Sequence, residues 1–286
     1  MFFLSQTDRF LRKVMDMYKN FFLTLFMMIS INSAVYSSGT VPYIFNLPTC
    51  QTAGSGMFNA DVGHRYFDVN RHTTNINLAL TYGIINPLDI TAAYSFKNKD
   101  IIGAMKLNIL NDYSESDWIS LSFYGGGGYK DANQVNNTFS ISAADDSNVE
   151  SITTLGSEDR TSYFGQMIIQ KHMFSNRFSL GVVPSYAYNT NFYQIKSKSD
   201  YSSGLGFMTE IYFTDSFSIC GEVVMNIGGF AFKYMNYNGG LKFAGYRHTF
   251  SLWVSNNNGY SPVEYMTGSE GLTPKLSAAF TREFDL

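Results

Sequence analysis

The sequence is poor in the residue types that build cofactor, metal and nucleic-acid sites. It has two cysteines, Cys50 and Cys220, too few and too far apart for a disulfide framework or a zinc site, and they read as lone thiols. Its four histidines, His64, His72, His172 and His248, share no ligand spacing, and His64 and His248 fall toward opposite rims of the architecture derived below. Charged residues make up only 15% of the chain and the net charge is −3, which argues against a nucleic-acid partner. The run Gly125 to Gly128 lacks the Lys and Ser/Thr that complete a phosphate loop. No Ser, His and polar orienter can be assembled on the lipid-facing parity of adjacent strands as a lipase site. Asn136-Asn137-Thr138 matches a glycosylation acceptor by pattern alone. No catalytic residue, cofactor or metal ligand is therefore assigned, and the chain is read as no enzyme.

Apolar residues are abundant but diluted. Hydrophobic residues make up 45% and aromatics 16%, yet mean hydropathy is −0.10. A helical membrane protein would be far more hydrophobic, so polar residues must be interleaved at close range. Twenty Tyr, 25 Phe and 24 Gly suit many strands with interfacial aromatics and tight turns. The stretch 161–189 shows the unit. Tyr163, Met167 and Ile169 share one parity and Gln166 and Gln170 the other; after Phe-Ser-Asn-Arg, Phe178, Leu180, Val182, Pro184, Tyr186 and Tyr188 alternate with Ser179, Gly181, Ser185 and Asn189. This is a hairpin of period two, with arms long enough to cross a bilayer as tilted strands.

The same pattern predicts strands at 57–67, 74–83, 88–96, 101–109, 117–127, 161–171, 178–189, 201–213, 217–226, 238–245, 248–256 and 275–285. Links after even strands are brief and most others longer, the longest being Tyr129 to Arg160. Ile76, Leu78, Leu80 and Tyr82 oppose Asn75, Asn77 and Thr81; Leu88, Ile90, Ala92 and Tyr94 oppose Asp89 and Ser95. The expected fold is all-β: an antiparallel transmembrane β-barrel of about 12 strands, apolar face outward, in the outer membrane with its amino terminus periplasmic. Residues 1–37 are expected to be a signal peptide with an upstream extension. Lys19 precedes the apolar run Phe21 to Ile31, the small residues Ser33, Ala34, Ser37 and Ser38 follow, and Met15 or Met17 would serve as a better start than Met1. Cleavage is expected after Ala34 or Ser37. Residues 38–56 are expected as a periplasmic segment and 57–286 as the barrel. Cys50 follows Leu-Pro-Thr, which is no lipobox.

Several pieces, in order, carry a family resemblance: Gly63-His64-Arg65-Tyr66, Tyr82-Gly83-Ile84, Ser162-Tyr163-Phe164-Gly165-Gln166 with Phe178-Ser179-Leu180, Gly221-Glu222, His248-Thr249-Phe250 with Asn256, and Phe280-Thr281-Arg282-Glu283-Phe284. The chain resembles a domain-of-unknown-function family of β-barrel proteins found in Bacteroidota. Where such relatives carry Gly before the late His, this chain has Tyr246-Arg247. The resemblance implies fold and location, and no activity.

Charges gather on the inward parity: Asp61, Arg65, Asp89, Lys106, Glu210, Glu222 and Lys242. Glu210, Glu222 and Lys242 are expected at similar depth on three consecutive strands. Such charges either line a water-filled path or pair with one another and plug a narrow barrel. Two functions follow. One is a passive channel or small-solute transporter; the other is a structural or docking barrel whose loops, chiefly Tyr129 to Arg160, bind a partner. The expected partners are outer-membrane lipid and, through the carboxy-terminal strand, the barrel-assembly machinery, with the chain a monomer.

Overall fold

The structure is a computed structural model that describes residues 42–68, 73–96, 99–112, 117–130, 139–142, 149–152, 160–191 and 199–285. The expected signal peptide lies outside them. In chain order the strands are β1 (Met57–Asp68), β2 (Thr73–Ile85), β3 (Leu88–Ser95), β4 (Asp100–Leu110), β5 (Ser120–Lys130), β6 (Phe139–Ser142), β7 (Val149–Ile152), β8 (Thr161–Met173), β9 (Phe178–Tyr188), β10 (Tyr201–Thr214), β11 (Phe217–Gly229), β12 (Asn236–Gly245), β13 (His248–Ser255) and β14 (Lys275–Asp285). A single helical turn, α1 (Pro262–Tyr265), precedes β14. All but β6 and β7 close into one barrel in the order β1-β14-β13-β12-β11-β10-β9-β8-β5-β4-β3-β2. Every pairing is antiparallel, and Met57 opposite Asp285 seals the wall. Closure leaves the barrel wall without an unpaired edge, which is what a sheet needs to sit in lipid.

The twelve wall strands fall where alternation predicts them. β5 begins at Ser120 and not at 117 because Asp117 turns the chain, its carboxylate accepting the Asn111 N–H at 2.9 Å. The long β5–β8 link, expected as a loop, holds the β6–β7 hairpin. Side chains divide as the parity requires. Asn75, Asn77, Thr81, Asp89, Ser95, Ser218, Ser251 and Ser255 are buried inside, whereas Ile76, Leu78, Leu80, Ile90, Leu180 and Ile219 are exposed outside. Outward aromatics gather at strand ends. Phe213, Tyr246 and Phe284 lie toward the rim of the short turns, and Tyr129, Tyr163, Tyr186 and Tyr201 toward the other. An apolar band between aromatic girdles is the dress of a lipid-embedded barrel.

The β4–β5 turn carries its own fastening. Asp112 accepts the His172 backbone N–H at 2.7 Å and the Ser120 hydroxyl at 2.5 Å, and lies 2.7 Å from His172 Nδ1. Burial alone would push this carboxyl up, but these bonds outweigh it and hold Asp112 below the ordinary carboxylate range. A depressed folded pKa contributes stability that is present above the unfolded value, about 3.9, and is lost as pH falls through the folded value. Asp112→Asn should therefore lower the melting temperature by an amount that is constant above about pH 5 and vanishes in stronger acid. A difference that grows toward low pH would show that the carboxylate is not what fastens the turn.

Candidate functional site: a filled lumen

Of the segment 38–56, expected to be periplasmic, residues 42–53 fold into the barrel. Ile44 donates its N–H to Leu47 O and Thr49 to Pro42 O, both at 2.9 Å, making a tight hairpin with Phe45 and Asn46 at its tip. The reason is physical. Ile44, Phe45 and Leu47 are apolar and become buried inside, while the wall supplies partners for the main chain, so neither apolar surface nor amides face solvent.

At the tip, Glu222 Oε1 accepts the N–H groups of Phe45, Asn46 and Leu47 at 2.8, 3.0 and 2.8 Å. Its Oε2 accepts Asn238 Nδ2 at 2.9 Å. Lower down, Cys50 donates its N–H to Gln170 at 3.0 Å, and its carbonyl accepts Asn108 at 2.6 Å and Ser122 at 3.2 Å. Lys106 reaches the carbonyls of Thr49 and Gln51 and lies 3.8 Å from Asp89, which accepts Ala53 N–H at 3.1 Å. Lys242 donates to Tyr43 O at 3.2 Å and pairs with Glu210 at 3.5 Å. Asp61 stands apart, accepting the Thr281 hydroxyl from the neighbouring strand at 2.7 Å.

Glu210, Glu222 and Lys242 do not share one depth. Lys242 is level with Ser218, Glu210 with Cys220, and Glu222 with Asn238. Four residues of β11 thus separate Lys242 from Glu222, about 13 Å along the strand. Counting residues from turns misses the stagger that barrel closure imposes on neighbouring strands. Lys242 accordingly pairs with Glu210, and Glu222 is committed to the hairpin tip.

A second filling comes from the opposite rim, where the β13–β14 link turns inward. Val263, Tyr265 and Met266 are buried, and Tyr265 donates its hydroxyl to Gln166 at 3.0 Å. Arg65, 2% exposed, joins the two fillings. Its Nη1 donates to Gly259 O at 2.8 Å and its Nη2 to Asn46 Oδ1. The guanidinium sits 5.5 Å from the Trp253 ring centroid and 5.7 Å from that of Tyr260, and Phe45 stacks on Trp253 at 5.0 Å. Between the fillings, a cavity of about 20 Å³ is bordered by Tyr43, Phe45, Tyr124, Tyr260 and Tyr265, room for about one water. Toward the short turns the lumen widens into a mouth of about 850 Å³ lined by Cys50, Asn86, Asn108, Arg177, Glu210 and Lys242.

Sequence reasoning placed Gln166 and Gln170 on the polar parity but gave them no partners, and it missed Asn108, Tyr265 and the hairpin. Their signal lies in contacts between positions far apart in the chain, such as Gln166 with Tyr265. Among the described residues no three His, Cys, Asp or Glu side chains could hold a metal. The Ser120, Asp112 and His172 cluster has the acid in the middle, bonded to both others, so it fastens a turn and is no nucleophile relay.

A closed wall with an apolar exterior and a polar, occupied interior defines a membrane β-barrel. The chain belongs to the membrane bound beta barrel domain family (DUF5777), whose model matches residues 42–277. No curated protein matches it. Among solved structures, an outer membrane channel from Pseudomonas putida F1 is similar over 85% of this chain and 99% of its own, at 13% identity and a TM-score of 0.51. The KdgM porin is similar over 79% and 99%, at 9% identity and a TM-score of 0.47. These likenesses describe fold alone.

Proposed function

We propose that this barrel is an outer-membrane small-solute channel held shut by its own residues 42–53, with the short-turn rim and amino terminus periplasmic. One observation carries the reading: the wall is lined for a wider lumen than its side chains fill. Ser95, Ser122, Ser179, Ser218, Ser251 and Ser277 all face inward, and the lumen is occupied by a separate segment held by polar contacts such as Glu222 and Ser122 and by the buried apolar side chains of Ile44, Phe45 and Leu47. A barrel closed for structural reasons would fill itself from the wall. The Bacteroidota resemblance supports an outer membrane as the site; outer-membrane lipid and the assembly machinery as partners, a monomeric state and a non-enzymatic role belong to the same proposed reading.

In planar bilayers the intact chain should show little or no conductance, and a variant lacking residues 42–53 a steady ohmic one. A deletion variant that still runs as a folded, heat-modifiable band yet never conducts would overturn the channel. A docking role is favoured by one feature, the β6–β7 hairpin in the β5–β8 link. Deleting residues 139–152 should then abolish binding of a surface partner without altering conductance.

A further inference from the structure

The wall holds residues 42–53 through their main chain as well as through their buried side chains. Three consecutive N–H groups converge on the Glu222 carboxylate at 2.8 to 3.1 Å. Successive backbone amides in a turn form a concave nest for an anion, and here the nest belongs to the guest and the anion to the wall. Further along, the Cys50 peptide is bonded on both sides, its N–H to Gln170 and its C=O to Asn108. Asp89 takes the Ala53 N–H. Side chains are received as well: Phe45 stacks on Trp253, the Tyr43 hydroxyl lies 2.9 Å from that of Tyr124, and Leu47 is seated beside a glycine. A Cβ on Gly206 would come within 2.8 Å of Leu47 Cδ2, so the glycine is what admits a branched apolar residue there.

The covalent tether is fastened to the rim, Ser55 donating its N–H to Asn86 Oδ1 at 3.1 Å and Gly56 to Gly83 O at 2.9 Å. It runs through Gly54, Ser55 and Gly56, with φ of +85° and +75° at the glycines and Ser55 exposed at the rim. We infer that the lumen is a binding site for peptide in a tight turn, occupied in cis by residues 42–53, and that the ligands it takes in trans are oligopeptides read through their backbone and through an apolar side chain at the Leu47 position. Peptides are then the solute class that competes with the hairpin; that clause rests on the channel reading, whereas the binding site does not.

The test cuts the tether after folding. A protease site is inserted between Ser55 and Gly56 of the full chain, the folded protein is cleaved in detergent, and the fragment carrying residues 42–53 is followed by size exclusion. It should co-elute with the barrel and be displaced by excess synthetic 42–53 peptide. The same peptide N-methylated at Phe45, Asn46 and Leu47 should compete at least about tenfold less well, and Glu222→Gln should speed release by a similar factor. Gly206→Val should also speed release by crowding Leu47. Loss of the fragment on cleavage from a barrel that stays heat-modifiable would overturn the site, as would equal competition by the N-methylated peptide.

If cleavage unfolds the barrel, the uncut Cys220→Ser chain decides. Added 42–53 peptide carrying serine in place of Cys50 should raise the rate at which a maleimide labels Cys50 of the chain, and no change would overturn the site. Conductance separates the two ideas. Peptide retention with no conductance in any variant sinks the channel and leaves the site, and conductance without retention does the reverse.

Discussion

Replacing Glu222 with leucine should free the 42–53 hairpin and leave the wall closed. The carboxylate is 2% exposed and accepts three hairpin amides. Its removal strands those donors, at about 1 to 3 kcal/mol each in a buried setting, partly offset because a buried charge is removed as well. A net loss of about 3 kcal/mol moves the docked-to-undocked ratio by roughly a hundredfold. The hairpin can regain its hydrogen bonds from water by leaving, whereas the wall strands keep their own ladders, so the loss should appear as opening and not as unfolding. Two measurements check it: open probability in planar bilayers, and labelling of Cys50 by an impermeant maleimide in the Cys220→Ser background, where it is the only thiol. Wild-type Cys50 is buried, its thiol donating to Ile168 O at 3.4 Å, and should resist labelling. If Glu222→Leu leaves Cys50 protected and conductance unchanged, the carboxylate is not the latch. Glu222→Gln, which keeps one acceptor oxygen, should fall between the two.

The wall was legible in the sequence and its contents were not, for one physical reason. A strand between lipid and a polar lumen must alternate at every residue, so Asn75, Asn77 and Thr81 announce their face against Ile76, Leu78 and Leu80 with no knowledge of their neighbours. Residues 42–53 have no such period. Their conformation is set by Glu222, Gln170 and Lys106, which lie 50 to 180 positions away and are brought together only by closure. Tyr265 is the same case from the other rim, since its partner Gln166 is 99 residues distant. The inward parity identified the charges, but depth depends on register, and register depends on stagger between strands that no single strand records. That is why Lys242 and Glu222 read as neighbours and lie four residues of β11 apart.

This separation makes the outcome of Lys242→Met specific. Lys242 pairs with Glu210 at 3.5 Å, with both side chains nearly buried, and donates to Tyr43 O at 3.2 Å. Methionine fills the same volume and leaves Glu210 with the Ser218 hydroxyl at 2.7 Å as its close partner. Stranding one member of a buried ion pair costs about 3 to 5 kcal/mol. Because both residues border the mouth, water access should hold the loss near the lower figure, and it should appear as a lower denaturation midpoint of the folded barrel. Adding Glu210→Gln removes the stranded charge and should restore most of the stability, leaving only the loss of the Tyr43 contact. Adding Glu222→Gln should restore none, since that carboxylate is satisfied by Phe45, Asn46 and Leu47. A double-mutant cycle read from denaturant midpoints therefore distinguishes the two acids. Rescue by Glu222→Gln and not by Glu210→Gln would mean that the β10, β11 and β12 registers place the lysine beside the wrong acid.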